Sequence, residues 1–168
     1  ILDDYGRLYL HRYWRYQETL AHQLSDRANR DNLPIDFVAA RDSLLNLFDA
    51  PEYPDWQKVA AALAILRPLS IITGGPGTGK TSTIVKILAL LQSLNTESFL
   101  RIRLAAPTGK AANRLTESIK DKLDSLSDMD AEVIGHIPTE VVTIHRLLGA
   151  HHGKVQYRYN RDNPLDTD

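Results

Sequence analysis

A chain of 168 residues, 43% hydrophobic and 24% charged, has the composition of a soluble globular protein: one domain, or one domain with an appendage. Twenty Lys and Arg against 21 Asp and Glu give a net charge of -1, which excludes a generally basic nucleic-acid coat. The absence of cysteine excludes a disulfide scaffold, a thiolate metal site and a cysteine nucleophile, and fits a reducing cytoplasm. No apolar run approaches the ~18 residues that would span a bilayer, and no signal peptide opens the chain. The only methionine is Met129, so residue 1 is not expected to be a natural start, and the chain reads as a piece of something longer.

Charge is distributed unevenly. Residues 51–120 carry 9 basic and 4 acidic groups, whereas the segments on either side are net acidic. A polyanion would be met in this middle third.

In chain order, Arg7 to Leu10 read as a short extended start, followed by a long helix from Tyr13 to about Ala28 that Asn29 to Pro34 break. Tyr9, Tyr13, Trp14 and Tyr16 are expected to pack rather than to stack on bases, because their segment has no excess positive charge. Asp36 is placed to cap a second helix carrying Phe37, Val38, Leu44, Leu45, Leu47 and Phe48. The stretch from Asp49 to Pro54 reads as a connector, which divides the chain into a mainly helical segment, 1–54, and a second unit, 55–168. Asp55 can cap a third helix, Trp56 to Arg67, stopped by Pro68. Leu69 to Thr73 then read as an apolar β-branched strand, Thr81 to about Ser93 as a helix, Arg101 to Ala106 as a second strand, and Lys110 to about Leu126 as an amphipathic helix. This alternation is the βαβ signature of an α/β fold with a parallel sheet. Residues 127–142 are acidic and poorly patterned, a short helix is expected over Thr143 to Leu148, and the polar tail from His151 reads as loop or hairpin.

Between the first expected strand and its helix stands Gly74-Gly75-Pro76-Gly77-Thr78-Gly79-Lys80-Thr81, a full match to G-x-x-x-x-G-K-[ST]. With glycine at ~7% of residues, a random chain of this length would match less than roughly one time in a hundred. The glycines let successive N–H groups turn toward the phosphates of a nucleotide, and the next helix adds its free N–H groups and positive dipole end. In such loops the lysine, here Lys80, reaches the β- and γ-phosphates, and the hydroxyl, here Thr81, ligates Mg²⁺. ATP and Mg²⁺ are the cofactors this implies.

Two further runs surround the loop: Asp55-Trp56-Gln57-Lys58 before it, and Pro107-Thr108-Gly109-Lys110-Ala111-Ala112-Asn113-Arg114 after the second strand. A third, Thr143-Ile144-His145-Arg146-Leu147-Leu148-Gly149, lies further on. With the phosphate loop, these resemble superfamily 1 DNA helicases, and within them the RecD group, the alpha subunit of bacterial exodeoxyribonuclease V. The resemblance implies a P-loop NTPase of RecA-like architecture, incomplete here and preceded by a small mainly helical segment. It implies an ATP-dependent DNA helicase, 5′ to 3′, acting in double-strand-break repair and recombination with partner subunits of an exodeoxyribonuclease V-type complex. Gln57 matches the Q motif, whose amide reads the adenine edge, the alternative being a solvated glutamine in the first turn of a helix. Pro107, Thr108, Gly109 and Lys110 match motif Ia, which lies along single-stranded DNA, the alternative being an ordinary capped helix start. Thr143 and His145 match a later single-strand-contacting element, although Thr143 would equally serve as a plain N-cap and His145 as a packed core residue.

Hydrolysis needs a second carboxylate at the end of an apolar strand, and no such run occurs; Asp128-Met129-Asp130 has no apolar strand before it. The chain by itself is therefore expected to bind nucleotide at most, without turning it over. The resemblance further places two later strands, one bearing that carboxylate, between Leu69–Thr73 and Arg101–Ala106. Both strands would then keep open edges, giving self-association, a partly molten sheet, or direct pairing of the two. Two readings from other classes are a P-loop kinase, which would need an acceptor site and an arginine-bearing lid, and a non-catalytic assembly module with residues 1–54 as a docking element.

Overall fold

The computed structural model describes residues 1–48, 54–95, 97–126, 129–151, 153 and 156–168. Most of the connector expected at 49–54, as well as Asp128 and His152, lies outside the described residues. Helices α1 (His11–Ala28), α2 (Phe37–Leu47), α3 (Trp56–Leu66) and α4 (Lys80–Leu94) come first. Strand β1 (Leu104–Ala106) and helix α5 (Gly109–Leu123) follow, with a 3₁₀ turn at Asp124–Leu126. Helix α6 (Ala131–Gly135), strand β2 (Val141–Thr143) and helix α7 (Ile144–Leu147) complete the order.

Local chemistry accounts for most boundaries. The Asp36 carboxylate accepts from Val38 and Ala39 N–H groups and starts α2; the Asp55 carboxylate accepts from Gln57 and Lys58 and starts α3. Arg67, the last residue before Pro68, is extended at φ -109° and ψ 138°, because proline disfavours the helical region for the residue ahead of it.

Helix α4 is the axis of the fold. Its run Ile84-Val85-Lys86-Ile87-Leu88-Ala89-Leu90-Leu91 is apolar nearly all round, the pattern of a helix covered on more than one face. Val85, Leu88 and Ala89 enter one cluster with Ala106, Ala112, Ile119, Leu123, Leu126, Ile137 and Val141. Ile87 and Leu90 enter a second with Ala40, Phe48, Ala61 and Ile65. Helices α2 and α3 therefore cover one side of α4, and α5 with the two-stranded sheet covers the other.

Four expectations need correction. No strand forms over Leu69–Thr73: Ile72 packs against the second cluster, Ile71 is 78% exposed, and a β-branched run without a neighbour to pair with has no ladder to join. The strand expected over Arg101–Ala106 is confined to Leu104–Ala106, the part that has a partner. That partner is β2, in parallel register with Leu104 opposite Val141 and Ala106 opposite Thr143; Val141 and Val142 end the stretch expected to be unpatterned, and Thr143 is the residue expected to begin the next helix. Leu69–Thr73 and β1 are thus not paired with each other. Finally, α1 buries none of its residues; Tyr13 and Tyr16 stay exposed, and the aromatic packing is local, an edge-to-face contact between Tyr9 and Trp14 at 5.0 Å and another between Tyr13 and Tyr16 at 6.3 Å.

Two polar devices tie the ends of the sheet region down. Arg101 donates from its main chain and guanidinium to Asp168, at 2.8 Å and 2.9 Å, and also pairs with Asp166. Those hydrogen bonds hold the Asp168 carboxyl at about 2, below the usual carboxylate range, so protonation on acidification opposes the contact.

The second device is Gln92, 1% exposed in α4. Its amide donates to the Leu100 and His136 carbonyls at 3.0 Å each and accepts from the Leu100 N–H at 2.8 Å. It fixes the segment leading into β1 and the end of α6 on the same helix. Gln92→Leu leaves these buried groups without partners and is expected to cost about 2–3 kcal/mol, read as a shift in urea midpoint. A loss below about 0.5 kcal/mol, the scale of an ordinary surface change, would show that this bracket does not hold the sheet region.

Candidate nucleotide-binding site

Of the helices that bury residues in the core, α2, α3 and α5 each have a side-chain cap, and α4 has none. The position before α4 is Gly79, in the left-handed region at φ 79°, which a Cβ would strain. The N–H groups from Gly77 through Ser82 donate to no protein atom among the described residues. A helix start with this many free donors, joined to a glycine turn, fits an anion held by main-chain N–H groups.

The loop is braced from its own side chains. Thr78 Oγ1 donates to the Gly75 carbonyl at 3.0 Å, and Thr83 Oγ1 donates to the Gly79 carbonyl at 3.0 Å. Lys80 Nζ donates to the Gly74 and Gly75 carbonyls at 2.7 Å and 2.5 Å, so its ammonium lies over the first turn of the loop. Gln57 approaches from α3, and its Nε2 donates to the Thr78 carbonyl at 3.2 Å. The side chain marked for adenine is thereby brought against the phosphate loop itself.

Motif Ia starts where β1 ends. Thr108 caps α5, its Oγ1 accepting from the Ala111 N–H at 3.2 Å, while Gly109 and Lys110 occupy the first helical positions. Thr81, Ala105, Pro107, Thr108, Lys110 and Arg114 line a groove of about 700 Å³, so the start of α4 and motif Ia share one opening. Thr143 stands opposite Ala106 in the parallel register, which places the third motif beside the second at the carboxyl ends of neighbouring strands. Ligands of open α/β sheets bind at that end. The Thr143 hydroxyl accepts from the Arg146 N–H at 3.2 Å as the N-cap of α7. His145 is exposed, with its ring 6.2 Å from that of Tyr157, and is not a core residue.

Arg114 is the groove residue that motif reading passed over. The available signal was its spacing: four residues after Lys110, it lies one turn further along the same helix face. Among the described residues, no three His, Cys, Asp or Glu side chains gather as a metal site. Thr81, at the start of α4 and on the groove, is the hydroxyl available to a Mg²⁺ brought in with nucleotide phosphates. Nor is any helix among those residues long and apolar enough to cross a membrane.

A glycine turn feeding an uncapped, core-buried helix beside a parallel sheet is the α/β arrangement of the P-loop fold class. A family model described as an AAA domain matches residues 57–168, and the chain belongs to that family. It is 40% identical to the RecBCD enzyme subunit RecD of Haemophilus influenzae, across 98% of this chain and 26% of that protein. The RecBCD enzyme subunit RecD of Mycobacterium tuberculosis is also 40% identical, across 98% of this chain and 27% of its own length. The ATP-dependent RecD2 DNA helicase of Deinococcus radiodurans is 38% identical, across 60% of this chain and 11% of that protein. The chain is RecD-like over nearly its whole length and spans about a quarter of the RecD subunits it matches.

Proposed function

We propose that this chain supplies the ATP-binding part of an ATP-dependent DNA helicase subunit, acting 5′ to 3′ in an exodeoxyribonuclease V-type complex for double-strand-break repair and recombination. Residues 55–168 would form the first part of a RecA-like motor domain, and residues 1–54 the segment ahead of it. The observation that carries the reading is the shared groove: the start of α4 and the motif Ia residues Thr108 and Lys110 face one opening, as a motor linking phosphate to strand requires. The names of the RecD and RecD2 relatives support the same assignment.

In this reading, Mg²⁺-ATP supplies the phosphoryl chemistry, and the chain's own groups bind and orient it. The N–H groups at Gly77 to Ser82 and the Lys80 ammonium neutralise the phosphates, the Thr81 hydroxyl turns to the metal ion, and Gln57 meets the adenine. Pro107, Thr108, Gly109 and Lys110, with Arg114 added, hold the backbone of single-stranded DNA, and Thr143 and His145 extend that track. Such phosphate contacts position a strand without reading its sequence.

Lys80→Ala is expected to weaken Mg²⁺-ATP binding by at least about tenfold, the scale of a lost charge-assisted hydrogen bond. Its unfolding midpoint should stay near wild type, because the ammonium bonds to exposed loop groups, the Gly74 and Gly75 carbonyls and the Thr78 hydroxyl. Calorimetric titration checks this, and wild-type affinity in the variant would reject the assignment. For Lys110→Ala, the logarithmic salt dependence of single-strand binding should shrink by ~0.7, the value for one phosphate. An unchanged slope would remove motif Ia from the DNA track.

A further inference from the structure

We propose that Gln57 is a positioning residue for the phosphate loop, holding the Thr78–Gly79 peptide so that the Gly79 N–H faces the phosphates whatever base is attached. The inference rests on the nucleotide site proposed above and assigns Gln57 a task beyond reading adenine.

The bridge joins two elements that are rigid with respect to each other. The main chain of Gln57 is fixed by the Asp55 cap, whose carboxylate accepts from the Gln57 N–H at 3.0 Å and the Lys58 N–H at 3.1 Å. One and two turns further along α3, Ala61 and Ile65 are 0% and 2% exposed and pack in one cluster with Ile87 and Leu90 of α4. The Gln57 side chain therefore reaches out from a platform that also carries the phosphate-loop helix. From there its Nε2 spans 21 positions in sequence to the Thr78 carbonyl, 3.2 Å away.

Peptide geometry turns this one contact into control of a donor. In a planar trans peptide, the C=O and the following N–H point in opposite directions. Anchoring the Thr78 oxygen toward α3 therefore directs the Gly79 N–H away from α3. Gly79 allows the approach: a Cβ there would lie 2.6 Å from Gln57 Nε2, and the residue sits at φ 79°. The glycine thus serves two needs together, the left-handed backbone and the seat for the amide. Without the amide, the loop would rely on the bonds of Thr78 to Gly75, of Lys80 to Gly74, Gly75 and the Thr78 hydroxyl, and of Thr83 to the Gly79 carbonyl, none of which is made by the carbonyl or N–H of the Thr78–Gly79 peptide.

A primary amide has two N–H groups and a carbonyl. One N–H is spent on Thr78, which leaves one donor and one acceptor, the pair that an adenine edge offers in complement. One side chain can therefore touch the base and the loop at once.

A probe without a base separates the two tasks. Mg²⁺-tripolyphosphate and Mg²⁺-ATP are titrated into the 168-residue chain and into Gln57→Leu and Gln57→Met, followed by ³¹P NMR. Both variants remove the donor, and methionine keeps the side-chain length; a thermal melt checks their folding. The expected result is a loss of about fivefold in tripolyphosphate affinity, what one net hydrogen bond supplies, and at least as large a loss for ATP. Unchanged tripolyphosphate affinity alongside weakened ATP would overturn the positioning role and leave Gln57 a base reader in an intact nucleotide site. Failure of the wild-type chain to bind either compound would overturn the nucleotide site and this inference with it.

Discussion

The structure depends on one helix that must be buried along its sides and left open at its start. Burial of α4 between two apolar clusters fixes its position, since Val85, Leu88 and Ala89 face one cluster while Ile87 and Leu90 face the other. That double cover makes its N-terminus a rigid point. The same N-terminus lacks the side-chain cap that starts α2, α3 and α5. A helix start with glycine at the cap position gives up roughly a few tenths of a kcal/mol relative to one capped by Ser, Thr, Asp or Asn. In the proposed reading an anion would supply the missing acceptor, so the local cost and the candidate site are one feature.

The elements around α4 are arranged by what they hold against it. Helix α3 presents Gln57 to the phosphate loop while its buried face keeps Ala61 and Ile65 on α4. On the opposite side, Gln92 anchors the run into β1, and α5 brings Ala112, Ile119 and Leu123 into the same cluster as Val85. The parallel register of β1 and β2 then sets Thr108 and Thr143 at adjacent strand ends. The phosphate-loop motif and the two later motifs thus converge through packing on one helix, although they are far apart in sequence.

Features written in consecutive residues were legible beforehand. The Asp36 and Asp55 caps and the stop at Pro68 follow from local chemistry, and each stands where expected; the glycine turn leads into α4 as expected, but without the strand expected ahead of it. Pairing was harder to read. Leu69 to Thr73 have the composition of a strand, but a strand is completed by its neighbour, and β1 pairs with β2 instead. Val141 to Thr143 were hidden because three residues after an acidic stretch give too short a period to register. The bridge from Gln57 to Thr78 crosses 21 positions, and only the packing of α3 on α4 brings its ends together. The exposed aromatic face of α1 follows from neither its composition nor its charge.

Helix α4 also makes the account testable at the level of single atoms. The measurement is an ¹H–¹⁵N NMR titration of the chain with Mg²⁺-ATP, following the amides of residues 77–82 at the start of α4 and those of residues 109–111 at the start of α5. Saturable shifts are expected at Gly77 to Ser82, because those N–H groups have no protein acceptor among the described residues, with smaller changes at α5, whose first turn Thr108 already caps. Shifts confined to the α5 amides, with the α4 amides unmoved, would contradict the claim that the uncapped start of α4 is the phosphate site.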